Sequence, residues 1–216
     1  LHTFSKYNMT IKIYLGDLTY NTVSLATDAF PLNVGFIASY CTKLFGDDID
    51  ITLFKYIDDI DNAINENPPD ILGLSNYCWS YNASKEIFKI FKKINPDGVT
   101  VWGGPNFPLD MPSQEKFMKT HPEIDIYVPT DGEIGFSNVV KLSLECDSKE
   151  QITRKLLSNP IEGCVSRDSD GKLHHTFSEP RIKNLDEIPS PYEMGLMDKF
   201  FDGLLPPMLQ TNRGCP

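Results

Sequence analysis

Two adjacent glycines at the end of an apolar run are the residues that most directly suggest a binding site. The run from Thr100 to Trp102 is typical of a buried strand, and it ends at Gly103, Gly104 and Pro105. Glycine leaves bare backbone at the end of a strand, so another molecule can approach it closely. Ligands of open parallel sheets bind outside the carboxyl ends of the strands. The pair therefore indicates either a large flat ligand lying against the backbone or a tight turn that requires a positive φ.

Polar and aromatic residues follow two other predicted strands. Ser75, Asn76, Tyr77 and Trp79 come directly after an apolar run, where they can contact the same ligand. Each also has a structural interpretation, because serine and asparagine often satisfy loop backbone groups and tryptophan is often a core residue. A later turn has the spacing of a helix capping box between Thr130 and Glu133, and its remaining residues are Asp131 and Gly132.

The composition argues against several functional classes. The chain has 216 residues, of which 40% are hydrophobic and 23% are charged, as in an ordinary globular protein. Its net charge of −10 repels phosphate backbones, so we expect no nucleic-acid partner. No run reaches the roughly 18 apolar residues of a membrane span, and we find no secretory signal. Five widely spaced cysteines suit a reducing compartment, so we expect a cytoplasmic protein without a membrane partner.

Five strands that alternate with five helices must position these loops. Apolar and β-branched runs predict strands near residues 11–15, 50–54, 70–74, 100–102 and 124–128. Helical periodicity between the runs predicts βαβ units and a parallel sheet. We expect an α/β domain over residues 10–147, with a five-stranded parallel flavodoxin-like (Rossmann-like) sheet in the order 2-1-3-4-5. The crevice of such a sheet is built by the loops after strands 1, 3, 4 and 5.

The pattern changes after this domain. A short helix and a β-hairpin, with its turn at residues 168–171, are predicted within an extension over residues 148–180. Residues 181–216 are rich in proline and are predicted to be a linker that leads into a further domain. The last apolar run begins just before Arg213-Gly214-Cys215-Pro216, so we expect the sequence to be the N-terminal part of a longer protein.

Several segments in this order resemble the cobalamin-binding radical S-adenosylmethionine (SAM) enzymes, over roughly residues 12–216. The carriers of the resemblance are Gly73-Leu74-Ser75-Asn76-Tyr77-Cys78-Trp79, Val101-Trp102-Gly103-Gly104-Pro105-Asn106-Phe107-Pro108, Asp131-Gly132-Glu133, Ile188-Pro189-Ser190-Pro191-Tyr192 and Gln210-Thr211-Asn212-Arg213-Gly214-Cys215-Pro216. In that family the last segment opens the CxxxCxxC motif of a [4Fe–4S] cluster. The resemblance thus implies that Cys215 is the first metal ligand and that the sequence ends within this motif.

The resemblance also implies a cofactor site and a reaction. Cobalamin would lie on the carboxyl ends of the strands, with its nucleotide tail in a slot that a side chain at Gly104 would fill. A downstream barrel of the same chain would hold the cluster and S-adenosylmethionine, whose cleavage gives a 5′-deoxyadenosyl radical. Cobalamin would carry a methyl group to an unactivated carbon or phosphorus, although this part of the chain performs no catalysis alone. The predicted cofactor-binding residues are Phe30, Ser75, Asn76, Tyr77, Trp79, Gly103, Gly104, Pro105, Asn106, Asp131, Gly132 and Glu133.

One family feature is missing, and other functions compete. Many cobalamin proteins carry Asp-x-His-x-x-Gly after strand 1, but the loop from Gly16 to Pro31 has no histidine. The resemblance leaves the lower axial partner of cobalt open among Asn76, Tyr77, Trp79 and water. A response-regulator receiver would need an acceptor aspartate after strand 3, and a flavodoxin would need a glycine-containing phosphate loop after strand 1. A cobalamin-binding sensor or carrier without chemistry of its own is the remaining alternative, and the downstream cysteines would distinguish it.

Overall fold

Within the described residues of a computed structural model, seven strands form one mixed sheet. The structure describes residues 9–20, 29–129, 131–168, 170–176 and 182–213. The strands are β1 (Ile11–Thr19), β2 (Ile49–Tyr56), β3 (Ile71–Ser75), β4 (Val99–Gly103), β5 (Ile126–Val128), β6 (Cys164–Arg167) and β7 (Leu173–Thr176). The helices are α1 (Leu32–Phe45), α2 (Ile57–Glu66), α3 (Tyr81–Ile94), α4 (Met111–Thr120), α5 (Gly132–Leu144) and α6 (Ile152–Ser158).

The strand order is β2-β1-β3-β4-β5-β6-β7, and the first five strands are parallel. The predicted α/β class and the order 2-1-3-4-5 are therefore confirmed. The predicted count of five strands was wrong, because the hairpin of β6 and β7 continues the same sheet in antiparallel orientation. β6 pairs with the otherwise open edge of β5, with Ile126 opposite Ser166 and Tyr127 opposite Val165. Covering an exposed edge in this way satisfies its backbone groups.

Helices cover both faces of the sheet. Alternate residues of the strands point to opposite faces, so β1 sends Ile11, Ile13 and Leu15 to one core and Tyr14 to the other. Helices α1, α5 and α6 pack on the first face, and α2, α3 and α4 pack on the second. Because both faces are covered, the carboxyl ends of the parallel strands are the place where a ligand can reach the sheet.

The C-terminal segment folds back onto α1. Met197, Phe200 and Leu205 are buried in the same core as α1, and a Cβ at Gly35 would lie 1.9 Å from the Met197 Cε. The backbone amide of Phe30 then donates to the Pro206 carbonyl oxygen at 3.2 Å. This bond directs the following residues along the carboxyl edge of the sheet. The predicted division of the chain at residues 147 and 180 stays a prediction.

No helix within the described ranges is long and apolar enough to cross a lipid bilayer.

Candidate functional site

A cleft of about 730 Å³ lies at the carboxyl ends of β1, β3, β4 and β5. Its lining is largely apolar and includes Leu15, Val101, Val128 and Phe136. A volume and lining of this kind are typical of sites for small molecules and cofactors. The structure brings most of the predicted cofactor-binding residues to this cleft: Phe30, Ser75, Tyr77, Trp79, Gly103, Gly104, Pro105, Asp131, Gly132 and Glu133.

The two glycines at the end of β4 have different roles. Gly104 has a φ of +120°, and a Cβ there would lie 2.9 Å from the Asn76 carbonyl oxygen. Its conformation is one that side chains rarely tolerate, so Gly104 serves a tight turn. A Cβ at Gly103 would lie 3.4 Å from its nearest neighbour, the Val128 carbonyl oxygen, which is ordinary contact. Gly103 is thus the position where a side chain would enter the cleft without disturbing the backbone.

Asn76 and Asn106 are not in the lining of the cleft. The buried Asn76 amide donates to the Asn106 carbonyl oxygen at 2.9 Å and to the Tyr127 hydroxyl at 3.0 Å. The Tyr127 hydroxyl in turn donates to the Gly104 carbonyl oxygen at 2.9 Å, and burial raises the pKa of this tyrosine. These bonds clamp the loops after β3 and β4 together and so hold the glycine backbone in place. Direct contact of the two asparagines with a cofactor stays a prediction.

Tyr77 and Trp79 form an aromatic platform at the mouth of the cleft. Their rings are parallel, with centroids 4.6 Å apart and an interplanar angle of 5°, and Trp79 is 43% exposed. Burial and the nearby Asp17 carboxylate raise the pKa of Tyr77, while a hydrogen bond with the Asn33 side chain opposes that shift. The Tyr77 phenol therefore stays neutral at physiological pH.

Asp17 and Lys55, which the sequence analysis did not select, pair at one end of the cleft. The Lys55 Nζ lies 3.1 Å from the Asp17 Oδ2, and the lysine side chain is 1% exposed. The Ser75 hydroxyl donates to the Asp17 Oδ1 at 2.5 Å. The register of β1 against β2 shifts between Gly16 and Thr19, and this irregularity turns Asp17 toward its partners. An aspartate directly after Gly16, at the end of a predicted strand, was the signal that could have identified it.

A bidentate ion pair joins the C-terminal segment to the start of α5. Arg213 donates to both oxygens of Glu133, at 2.9 and 2.5 Å, and the Glu133 side chain is only 2% exposed. The hydrogen bonds with Glu133 raise the pKa of the guanidinium. Met208, Leu209 and Gln210 precede Arg213 and also line the cleft. The segment therefore forms part of the wall of the cleft, which the spacing of its residues in the sequence did not indicate.

The remaining selected residues have structural partners or lie outside the described ranges. Phe30 packs edge-on against Phe201 at 4.9 Å between centroids, and Asp131 occupies the N-cap of α5 without a side-chain cap bond. A Cβ at Gly132 would lie 2.4 Å from the Ile37 Cδ1, so this glycine permits close approach of α5 to α1. Cys215 and Thr130 lie outside the described residues, so the metal ligand and the capping box stay predictions.

The histidines of the described chain lie away from the cleft. His121 is buried on the far face of the sheet, where its ring stacks on Phe117 with 4.3 Å between centroids. His174 pairs with Asp168 at 3.3 Å on the hairpin, and His175 is its neighbour on β7. None of the three lines the cleft.

The family of the chain follows from comparison with known proteins. The family model for the B12 binding domain matches residues 19–140, which is more than half of the chain. The chain belongs to the B12-binding domain family. The matched residues of this B12-binding domain include β2 to β5 and therefore most of the cleft.

Curated relatives agree with the sequence-based resemblance. The B12-binding domain is 28% identical over 162 residues to the cobalamin-dependent radical SAM methyltransferase TokK of Streptomyces tokunonensis, covering 68% of this chain and 21% of TokK. It is 32% identical over 160 residues to the uncharacterized methyltransferase PH0819 of Pyrococcus horikoshii, covering 73% of this chain and 32% of that protein. The chain thus spans only about a fifth to a third of the length of these relatives.

A solved structure has the same fold. The cobalamin-dependent S-adenosylmethionine radical enzyme OxsB, solved with aqua-cobalamin and S-adenosylmethionine bound, superposes with a TM-score of 0.66 and 20% sequence identity. The superposition covers 95% of this chain and 27% of OxsB. At this level of identity the likeness concerns the fold.

Proposed function

We propose that the cleft binds cobalamin and that the chain is the cobalamin-binding part of a radical SAM methyltransferase. The observation that carries the proposal is the bare backbone of Gly103 in the cleft of a B12-binding domain. The methyltransferases among the relatives support the reaction class. We further propose an unactivated carbon or phosphorus as the methyl acceptor, and a downstream barrel of the same chain as the holder of a [4Fe–4S] cluster and S-adenosylmethionine.

The residues of the cleft fit a corrinoid. The flat, largely apolar ring requires an open cleft with apolar walls, which Leu15, Val101, Val128 and Phe136 supply. Gly103 leaves room where a Cβ would project, and the buried Asn33 Oδ1 in the cleft lining has no hydrogen-bond partner among the described residues. Buried polar atoms without partners are rare in folded proteins, so this oxygen is a natural acceptor for a ligand.

When bound, cobalamin supplies a cobalt centre that can carry a methyl group. The role of this chain is to bind and orient the ring and to exclude water from one of its faces. The stacked rings of Tyr77 and Trp79 offer a flat surface for that face. Asn76 would position the loops around the cofactor, because its amide donates to the Asn106 carbonyl oxygen and the Tyr127 hydroxyl and accepts from the Asn106 amide.

Titration with aquacobalamin, followed by its visible absorbance, tests cofactor binding. The wild-type chain should bind, and Gly103→Leu should bind at least tenfold more weakly because the new side chain occupies the cleft. Lys116→Leu, at an exposed position on α4, is the matched control and should bind like the wild type. Equal affinity of the Gly103→Leu and wild-type chains would show that the cleft is not the cofactor site.

The longer protein tests the enzymatic part of the proposal. A protein that continues beyond residue 216 should gain the absorbance of a [4Fe–4S] cluster after anaerobic reconstitution, and Cys215→Ala should lose it, because such clusters are held by cysteine thiolates. The 216-residue chain alone should release no 5′-deoxyadenosine from S-adenosylmethionine. Cobalamin binding in a longer protein that lacks further cluster cysteines would instead support the sensor or carrier function.

A further inference from the structure

One end of the cleft is polar, in contrast to its apolar walls. We name this end the polar wall and define it by Asp17, Asn33, Lys55, Ser75 and Tyr77, all of which line the cleft. The residues come from the carboxyl ends of β1, β2 and β3, the loop after β3 and the first turn of α1. A polar cluster assembled from so many elements, in a cleft that is otherwise apolar, is typical of the few groups that orient a ligand.

The carboxylate of the polar wall is held in one orientation from two sides. The Ser75 hydroxyl donates to one Asp17 oxygen at 2.5 Å, and the Lys55 ammonium lies 3.1 Å from the other. The Asp17 side chain nevertheless remains 12% exposed. An ionised carboxylate offers about four acceptor positions, so these two donors leave capacity for a further one. Asp17 is thus a fixed acceptor at the edge of the cleft.

Asn33 supplies a second acceptor. Its side chain hydrogen-bonds Tyr77, whereas its Oδ1 is buried and has no partner among the described residues. Leaving a buried amide oxygen without a donor is unfavourable, because the oxygen has lost its hydrogen bonds to water and gained none in return. A ligand that brings an N–H group to this position removes that cost. Both acceptors would therefore bind a hydrogen-bond donor of the ligand.

The charges of the polar wall select among ligand groups. The Asp17–Lys55 pair carries no net charge, so a phosphate or carboxylate gains no net attraction from it, and the Asn33 oxygen repels an anion. A metal ion would meet the Lys55 ammonium, and the described residues contain no group of three side chains suited to holding a metal. A neutral group that donates N–H bonds remains. A primary carboxamide is such a group, and the rim of the corrin ring carries several of them.

We propose that the polar wall recognises a peripheral carboxamide of the corrin, with Asp17 and the Asn33 Oδ1 accepting its N–H bonds. This inference rests on the proposed cobalamin function and adds the residues that set the orientation of the ring. Ser75 and Lys55 are positioning residues, because they hold the Asp17 carboxylate in place.

Cobalamins in which one peripheral carboxamide has been hydrolysed to the acid test the proposal directly. The acid is ionised at pH 7.5, so the isomer that places it at the polar wall presents an anion to two acceptors. The wild-type chain should bind at least one such monoacid about tenfold or more weakly than cobalamin, as measured by visible absorbance. This comparison requires no variant. Equal affinity of the wild-type chain for cobalamin and for every monoacid would overturn the proposal.

Asn33→Leu tests the second acceptor. It removes the amide at similar size, so affinity for cobalamin should fall about tenfold, from the lost hydrogen bond and the unpaired ligand amide. The ratio of the variant's affinity for cobalamin to its affinity for the monoacid that the wild-type chain binds weakly should also be smaller than in the wild type. Asn65→Leu, an exposed asparagine on α2, is the matched control and should behave like the wild type. Wild-type affinity and selectivity in Asn33→Leu would refute the role of Asn33, whereas failure of the wild-type chain to bind any cobalamin would refute the proposed function itself.

Discussion

Arg213→Met tests whether the ion pair with Glu133 holds the C-terminal segment against the cleft. The two bonds are 2.9 and 2.5 Å long and reach a carboxylate whose side chain is 2% exposed. Removing one partner of a buried pair costs about 3–5 kcal/mol, because the other charge is left uncompensated. The Arg213 side chain is 20% exposed, so water can reach the pair, and we expect the lower end of that range, about 3 kcal/mol.

Urea denaturation followed by circular dichroism measures this loss. With a slope of about 2 kcal/mol per molar urea, the midpoint should fall by about 1.5 M. Lys119→Met removes a pair at 3.9 Å with side chains 69% and 52% exposed, and it should cost less than about 1 kcal/mol. Adding Glu133→Gln to Arg213→Met should restore part of the stability, since a neutral amide is less costly to bury than a charge. A loss for Arg213→Met no larger than that for Lys119→Met would refute the reasoning.

Three further predictions follow from the geometry. Gly104→Ala should lower the free energy of unfolding by about 1–3 kcal/mol in thermal or urea denaturation, because a φ of +120° and a backbone oxygen 2.9 Å from the new Cβ both oppose a side chain. Burial raises the pKa of Tyr127, so above about pH 10 the phenol is ionised in the unfolded chain but still protonated in the folded chain. The free energy of unfolding should therefore be unaffected by this group below about pH 10 and fall above it, and Tyr127→Phe should make that fall less steep. Substituting His121, His174 or His175 by Ala should leave the visible bands of bound cobalamin unchanged, since none of them lines the cleft. A band shift in any of these variants would place a histidine at the cobalt.

The parallel part of the fold could be predicted from the sequence because its signals are local. Each strand from β1 to β5 is a short apolar run, and right-handed βαβ connections leave few orders for such a series. The pairing of β6 with β5 depends instead on residues about forty positions apart, as in Tyr127 opposite Val165. No local pattern specifies that contact, so the hairpin was expected as a separate extension.

The residues of the candidate site likewise include some that local sequence signals could predict and some that depend on distant contacts. Residues directly after strands, such as Ser75, Tyr77 and Gly103, could be selected because the carboxyl ends of parallel strands share one edge. Lys55 was not selected, because the crevice was expected from the loops after strands 1, 3, 4 and 5, whereas Lys55 lies within β2 and pairs with Asp17 of β1. Arg213 was not selected either, since its partner is 80 residues away. Asn76 follows a strand in the same way but lies outside the cleft lining, where its amide bonds the neighbouring loop, and its contact with a cofactor stays a prediction.

The separation of Glu133 and Arg213 has a consequence for the order in which a ribosome completes this fold. Synthesis adds about 5–20 residues per second, so the 80 residues between them take roughly 4–16 s to appear. During that interval α5 can already pack on the emerging sheet, while the Glu133 carboxylate has not yet formed its ion pair with Arg213. The edge of β5 is open over the first part of the same period, until residues 164–167 leave the exit tunnel. A nascent chain stalled before residues 164–167 emerge presents an open strand edge beside an uncompensated acid, and the open edge makes such a species prone to aggregation and a substrate for chaperones.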